Sequence, residues 1–308
     1  MKIISILIPV YNEKENIMNI YQEIIKSIEQ LNEYAFEIIF MDNCSEDLSV
    51  NEVKKIIELD KRVKLIIHSR NYGYQANILS GYYSCSGDAA IVIDADGQDD
   101  PKYIQKFINA WKNGYKVVYG IRENTADNIF LKYSRKLFYK ILKYSSYIKI
   151  PLNVGDFRLI DRRIIDDLKK FEENNIFLRA TISSIGYSSM GIPYSRRKRE
   201  LEKSKFDMKG YLSFGIEGIL SFSKLPLKII FIFGLLLFLI SLILIVGYFL
   251  LFLFGFIEVK GFTSTILLLL FYFGTISLFL GVIALYLSEV FMETKKRPRY
   301  IIREKINF

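Results

Sequence analysis

An α/β domain with a mostly parallel sheet, followed by a membrane-spanning helical hairpin, is the fold class that the sequence predicts. Three observations predict it. Through the first two-thirds of the 308 residues, short β-branched runs alternate with longer segments of helical spacing. Polar clusters recur directly after the apolar runs. From residue 229 onward the composition changes to two long stretches without a charged side chain.

The runs IISILIPVY, FEIIFMD, VKLIIHS, AAIVIDA and KVVYGI have the length and side-chain type of strands. Their unbroken apolar character is that of strands covered on both faces. Helical segments are predicted around Lys14–Asn32, Val50–Asp60, Tyr74–Ser84 and Pro101–Asn113. Such alternation builds a parallel sheet flanked by helices, and ligands of these sheets bind beyond the carboxyl ends of the strands. The polar clusters NEKEN, DNCSED and DADGQDD fall at those ends. No glycine-rich dinucleotide fingerprint and no P-loop follows any strand, which removes the main support for those two readings.

Composition sets the partners. Hydrophobic residues make up 51% of the chain, enough to fill a sizeable core and too much for a disordered or purely structural tail. Lys and Arg number 42 against 33 Asp and Glu, a net charge of +9, which fits a polyanionic or phosphorylated partner or an acidic membrane surface. Cys44 and Cys85 stand in no metal-ligand spacing and no secretory signal precedes the first apolar run, so a reducing, cytosolic setting is expected for the soluble part.

Ile229 to Ile257 and Gly261 to Ser288 each exceed the ~20 residues that a bilayer-spanning helix needs. The short EVK between them demands an antiparallel hairpin. KLPLK precedes the pair and ETKKRPRYIIREK follows it, whereas the loop carries only Lys260 beside Glu258. The positive-inside rule then places both ends in the cytoplasm. Before the first span, Leu212, Ile216, Ile219, Leu220 and Phe222 recur at helical spacing, as in an interfacial helix or an amphipathic helix packed on the domain. The expected division is a soluble domain over 1–206, an amphipathic region over 207–226, two spans over 227–290 and a basic tail over 291–308.

The fourth cluster carries the most chemistry. Asp94, Asp96 and Gln98 alternate at the mouth of the sheet, and crowded carboxylates repel one another unless a cation neutralises them. Oxygen ligands without His or Cys nearby favour Mg²⁺ or Mn²⁺. Asp99 and Asp100, just before Pro101, read as caps of the next helix. His68, the only histidine, reads as structural.

SILIPVYNEKEN, FMDNCSED, IDADGQDDP and GDFRLIDRR, in this order, resemble successive signatures of the inverting GT-A glycosyltransferases that include dolichyl-phosphate mannose synthase. The chain is most similar to bacterial enzymes that load a sugar onto undecaprenyl phosphate and carry a C-terminal membrane hairpin, a likeness that extends to KRPRY near the end. The resemblance implies a cytosolic GT-A domain and metal-dependent, inverting transfer of a hexose from a nucleotide sugar, UDP-linked, to a polyprenyl phosphate for cell-envelope glycan modification. It places the protein in the bacterial inner membrane with the catalytic domain on the cytoplasmic side.

By the same resemblance, Pro9, Tyr11 and Glu13 line the nucleotide pocket and Asp42 meets the base. Asp94, Asp96 and Gln98 hold the metal and diphosphate. Arg122 and Arg135 approach the phosphates of donor or acceptor. Asp156 is the catalytic carboxylate, either as base or as the group that orients an arginine. Arg199 and Lys205 belong to a basic loop that closes over the phosphates. The implied partners are the nucleotide sugar, the lipid phosphate, the membrane and further copies of the chain, with no nucleic acid. Departures from the family pattern are Asn43 in place of a second Asp, Glu202 in EKSKF, and Ala180 and Ser184 where FLRATISSIGY lacks the usual Gly and Trp. Two rivals remain in view: a processive polysaccharide synthase, against which the absence of a QxxRW motif speaks, and a non-catalytic membrane scaffold. The sugar is open among glucose, galactose, mannose, an N-acetylhexosamine and aminoarabinose.

Overall fold

The structure is a computed structural model and describes residues 1–123, 154–173, 176–197, 225–254 and 261–308. It divides into two compact units, the first built from the N-terminal two-thirds together with Pro298–Phe308, the second containing Leu212–Arg297.

The first unit is an α/β domain. Its strands are β1 (Lys2–Val10), β2 (Tyr34–Asp42), β3 (Val63–His68), β4 (Ala89–Val92), β5 (Val117–Arg122), β6 (Val154–Asp161), β7 (Ser189–Tyr194) and β8 (Ile302–Ile306). They form one sheet in the order β7-β5-β6-β4-β1-β2-β3-β8. β4, β1, β2 and β3 run parallel, as do β5 and β7, whereas β6 and β8 run against their neighbours. The helices are α1 (Lys14–Ile28), α2 (Ser49–Leu59), α3 (Tyr74–Ser84), α4 (Tyr103–Lys112), α5 (Arg162–Leu168) and α6 (Leu178–Ser184).

Strand periodicity sorts the core onto two faces. Ile4, Ile6, Ile8 and Val10 of β1 meet Ile17, Ile20 and Ile24 of α1 and Ile104 and Phe107 of α4 on one side. Leu7 points the other way, into a layer with Ile39, Met41, Ile78, Leu79 and Tyr82. On this second face α3 comes unusually close to the sheet. A Cβ on Gly81 would stand 2.5 Å from the Met41 sulfur, so any larger residue there would have to displace that side chain. Of the polar groups that α3 buries, Asn77 Nδ2 donates to the Met41 carbonyl at 2.9 Å and Ser80 Oγ faces His68 Nε2 at 2.9 Å, whereas Asn77 Oδ1 has no hydrogen-bond partner among the described residues.

His68 is fully buried and lies at the end of β3. Asn43 Oδ1 accepts from the Tyr72 backbone N–H at 3.0 Å, which fixes it as the acceptor for His68 Nδ1 at 3.3 Å. Loss of hydration lowers the imidazole pKa to about 4, so the ring is neutral.

The segment read as a basic tail supplies β8. It pairs antiparallel with β3, with Leu65 opposite Ile306 and Ile67 opposite Glu304, and covers an otherwise open sheet edge. Arg299 bonds the Tyr83 hydroxyl at 3.2 Å and the Phe171 carbonyl, Tyr300 lies 5.6 Å from the His68 ring, and Asn307 Nδ2 donates to the carbonyls of Lys61 and Val63.

The second unit consists of α7 (Leu225–Leu253) and α8 (Phe262–Thr294). They cover most of the two uncharged stretches. Phe233 of α7 and Phe279 of α8 meet edge to face at 6.1 Å. Within α8, Phe271–Thr294 is long and apolar enough to cross a membrane, and its side chains are not buried. The loop residues Glu258 and Lys260 and the amphipathic segment from Leu212 to Phe222 lie outside the described residues.

Candidate active site

β1 lies between β2 and β4, so the chain steps outward to β3 and returns on the opposite side of β1. At such a switch point the loops diverge and leave a crevice beyond the carboxyl ends of the strands. Pro9, Tyr11 and Glu13 leave β1 there, Asp42 ends β2, and Asp94 follows β4.

The first two loops are laced together. Asn12 and Cys44 adopt left-handed backbone conformations, with φ of 55° and 63°, a strain that side-chain bonds hold in place. The Asn12 N–H donates to Ser45 Oγ at 2.9 Å, Asn12 Oδ1 accepts from the Glu46 N–H at 2.8 Å, and the Glu13 N–H donates to Ser49 Oγ at 3.0 Å. Asp42 is buried and accepts from the Ser45 N–H at 3.1 Å; burial pushes its carboxyl up against that opposing bond. Pro9 is buried, the Tyr11 ring is exposed, and Glu13 Oε2 accepts from Asn16 Nδ2 at 2.6 Å.

The third element is an acidic pole. Tyr74 Oη donates to Asp94 Oδ1 at 2.6 Å, and Asp96 Oδ1 accepts from the Gln98 N–H at 3.1 Å across a turn in which Gly97 has φ 69°. Loss of hydration and the neighbouring Asp99 and Asp96 charges push the Asp94 carboxyl up to about 7. Asp100 accepts from the Lys102 N–H at 3.1 Å in the turn that leads into α4, but Lys102 occupies the cap position and α4 has no side-chain cap bond. Asp99 does not cap α4 either. It is buried, its Oδ1 accepts from Tyr194 Oη at 2.6 Å, and its Oδ2 has no hydrogen-bond partner among the described residues. The preceding turn rotates it inward, so that it joins Asp94 and Asp96 instead of α4.

Opposite stands a basic pole. β6 pairs with β4 so that Arg158 faces Val92 at the end of β4, and Asp156 precedes it on β6. Asp156 is buried and gripped by Arg179, whose Nε lies 3.1 Å from each carboxylate oxygen and whose Nη2 lies 2.5 Å from Oδ2. Arg158 Nη2 adds a bond at 3.3 Å. Burial opposes ionisation of Asp156, but the charges of Arg179, Arg158 and Arg122 outweigh it and hold the carboxyl below the usual range. The Arg122 guanidinium lies against Gly155, where a Cβ would stand 2.5 Å from Nη2. Its Nε donates to Tyr194 Oη at 3.3 Å, and that hydroxyl donates in turn to Asp99, so Tyr194 joins the two poles. Three guanidinium groups around one carboxylate leave an excess of positive charge beside a cluster of carboxylates.

Among the described residues, no three His, Cys, Asp or Glu side chains are drawn together closely enough to hold a metal ion by themselves. The donor set is nevertheless that of a hard cation which keeps waters and shares substrate phosphates, a kind that needs only one or two protein carboxylates. The orphaned Asp99 oxygen and a guanidinium standing among Asp94, Asp96 and Asp99 both mark a place that attracts positive charge.

Arg135, Arg199 and Lys205 lie outside the described residues. Tyr74, Asp99, Arg158, Arg179, Tyr194 and Arg196 emerge only in the structure. Arg158 and Arg179 stand inside quoted motifs, but no spacing rule joins residues 156 and 179 across a sheet edge and a loop.

Residues 5–169 match the model of glycosyl transferase family 2. The chain is 36% identical to the uncharacterized glycosyltransferase YkcC of Bacillus subtilis, over 97% of this chain and 93% of that one. It is 32% identical to the bactoprenol glucosyl transferase of Shigella phage SfX, over 98% and 99%, and 32% identical to a prophage bactoprenol glucosyl transferase homolog of Escherichia coli, over 97% and 98%. With a mostly parallel α/β sheet and a family match that covers more than half of the chain, the protein is an enzyme that belongs to glycosyl transferase family 2.

Proposed function

We propose that the protein transfers a hexose from a nucleotide sugar, UDP-linked, to undecaprenyl phosphate with inversion, giving a lipid-phosphate sugar for modification of cell-envelope glycans. The observation that carries this reading is the pairing of an acidic and an arginine-rich pole at one crevice, in a chain that matches bactoprenol glucosyl transferases along almost its whole length. A nucleotide diphosphate with its cation, and a second phosphate as acceptor, are the ligands that two such poles accommodate.

A lipid monophosphate has a second pKa near ~6, so at neutral pH its oxygen is already a nucleophile. Catalysis then consists of setting two anions in line and neutralising the charge that develops on the departing diphosphate. In our reading Pro9, Tyr11, Glu13 and Asp42 receive the nucleotide, and Arg122 and Arg179 receive phosphate oxygens. Asp94 and Asp96, with Gln98, would hold Mg²⁺ or Mn²⁺. The ion supplies charge neutralisation of the leaving diphosphate. Asp156 positions Arg179 and takes no proton, because a carboxylate held in its ionised form by three arginines is a poor base. A single displacement at the anomeric carbon inverts it.

We place the chain in the bacterial cytoplasmic membrane as a multi-pass protein, with both ends of the α7–α8 hairpin cytoplasmic, 207–226 at the interface and the catalytic domain over 1–206 on the cytoplasmic side. Support comes from the apolar α8 segment and the flanking basic residues. The further expectation of a homo-oligomer is part of the same reading.

The deciding experiment supplies radiolabelled UDP-sugars, Mn²⁺ and undecaprenyl phosphate to the full-length protein in detergent. A labelled, organic-soluble lipid monosaccharide is expected. A labelled polymer would make the protein a polysaccharide synthase, and donor binding without transfer would make it a scaffold.

A further inference from the structure

The acidic pole already holds a cation of the protein's own. Arg196 follows β7, and its Nη2 lies 3.6 Å from Asp94 Oδ2 and 3.8 Å from Asp96 Oδ2, while its Nε lies 3.4 Å from Asp99 Oδ1. All three are ion-pair distances, and none reaches the roughly 2.7–2.9 Å of a charge-assisted hydrogen bond. Arg196 Nε has no hydrogen-bond partner among the described residues. The next residue is held quite differently. Arg197 bonds both Glu23 oxygens at 2.8 and 2.9 Å and Asp100 at 2.9 Å, and its backbone N–H donates to the Gln98 carbonyl at 3.0 Å. Arg197 therefore straps the backbone onto the acidic turn, and the strap delivers Arg196 among three carboxylates that hold it by charge alone.

We propose that Arg196 is an internal substitute for the divalent cation, which neutralises Asp94, Asp96 and Asp99 until the ion arrives, yields its place, and then turns its guanidinium to the donor diphosphate. The inference rests on the reading of Asp94 and Asp96 as the metal pair. The exchange is easy in one direction because, among the described residues, no short hydrogen bond to Arg196 has to break. It is favoured because a divalent ion brings twice the charge and bonds oxygen directly. Arg196 must then lower the affinity for the ion alone and favour the ion and the diphosphate arriving together, since only a bound diphosphate gives the displaced guanidinium a new partner.

The test measures Mn²⁺ binding to the full-length protein in detergent, by titration calorimetry and by the EPR signal of free Mn²⁺, with and without UDP. Arg196→Gln is expected to bind Mn²⁺ alone about 10-fold tighter than wild type, and UDP should tighten Mn²⁺ binding less in the variant by a similar factor. Arg196→Lys, which keeps the charge, should stay within about twofold of wild type, as should Arg62→Gln, which removes a distant pair with Asp60. Arg196→Gln should also melt lower without the ion and regain the wild-type midpoint with saturating Mn²⁺. Equal or weaker Mn²⁺ affinity in Arg196→Gln, a gain of the same size in Arg196→Lys, or a midpoint that Mn²⁺ does not restore would each overturn the proposal. Failure of every form, wild type included, to bind Mn²⁺ would remove the metal reading and the substitute with it, whereas equal binding by all would remove the substitute alone.

Discussion

Arg179 holds both oxygens of Asp156, with its Nη2 2.5 Å from Oδ2 and its Nε 3.1 Å from each oxygen, so the carboxylate faces a guanidinium fork. In the function proposed above, Asp156 is a positioning residue and Arg179 has the more direct part. Arg179→Ala is expected to lower kcat for lipid transfer by a factor on the order of 10². Asp156→Asn should lower it comparably while UDP affinity stays within about twofold, because the nucleotide loops do not touch this pair. The pH–rate profile separates the roles. A base at position 156 would give an acidic limb that vanishes in Asp156→Asn, whereas a positioning carboxylate leaves the shape of the profile unchanged.

Tyr74 carries a second prediction. Its hydroxyl orients one Asp94 oxygen at 2.6 Å, and a single bond to a charged group contributes about 1.5–3 kcal/mol. Tyr74→Phe keeps the ring and loses the bond, so Mn²⁺ and donor affinity should fall about 10-fold with little change in melting temperature. Unchanged metal dependence in Tyr74→Phe would remove this residue from the site.

His68 makes a pH prediction. Its pKa is lowered to about 4 in the fold against an ordinary value near ~6.5, so between these limits the unfolded chain binds the proton and the native protein does not. Stability contributed by the neutral ring is present above pH 6.5 and is lost as pH falls toward 4. Asp94, raised to about 7, acts in the opposite sense within the same window, gaining protons in the folded state as pH falls. The comparison therefore has to be made within one background. Melting temperatures of wild type and His68→Gln in detergent, measured from pH 7.5 to 4.5, should converge on the acidic side.

The tail carries a fourth. Tyr300 packs on His68, His68 bonds Asn43, and Asn43 adjoins Asp42 in the proposed base pocket. Tyr300→Ala should cost about 2 kcal/mol of stability and weaken UDP binding several-fold, although position 300 touches no nucleotide. A fragment ending at residue 206 lacks β8 altogether and is expected to bind UDP more weakly than the full chain. Isothermal titration of both forms checks this, and equal affinity would detach the tail from the pocket.

Topology gives the last. With Cys44 and Cys85 replaced, single cysteines at Lys14, Lys260 and Lys296 should be labelled by an impermeant reagent in intact cells only at 260. Labelling at 296 but not at 260 would invert the proposed orientation.

β1 to β5 were legible in sequence because each is a run of β-branched residues, most of them closed by a polar cluster. Four of them fall within a residue or two of their predicted places, and β4 begins where expected but ends at Val92, short of the full AAIVIDA run. β6, which carries Asp156 and Arg158, is recognised in the sequence as a motif and not as a strand, and β7 and β8 were not foreseen. SMGIPY is interrupted by glycine and proline, and IREKI sets three consecutive charged residues between two isoleucines in a segment whose basic residues read as a tail. β8 is a strand because β3 offers it a partner more than two hundred residues away. The site divides in the same manner. Asp94 and Asp96 announce themselves by spacing, whereas Asp99 looks like a helix cap until Tyr194 and Arg196 are seen beside it. Asn43, a departure from the family pattern, finds its reason in His68: an amide oxygen that accepts from both the ring and a backbone N–H fixes the loop without adding charge.

β8 lies after both long helices in the chain yet completes the sheet that begins at residue 2. During synthesis, at roughly 5–20 residues per second, the catalytic domain therefore waits several seconds with β3 unpaired, while roughly a hundred further residues, the apolar helices among them, leave the ribosome. An open strand edge is a site of aggregation and of proteolysis. A chain cut before Ile302 lacks β8 and leaves the β3 edge open to these two hazards, so the last residues of the protein guard its sheet against misassembly.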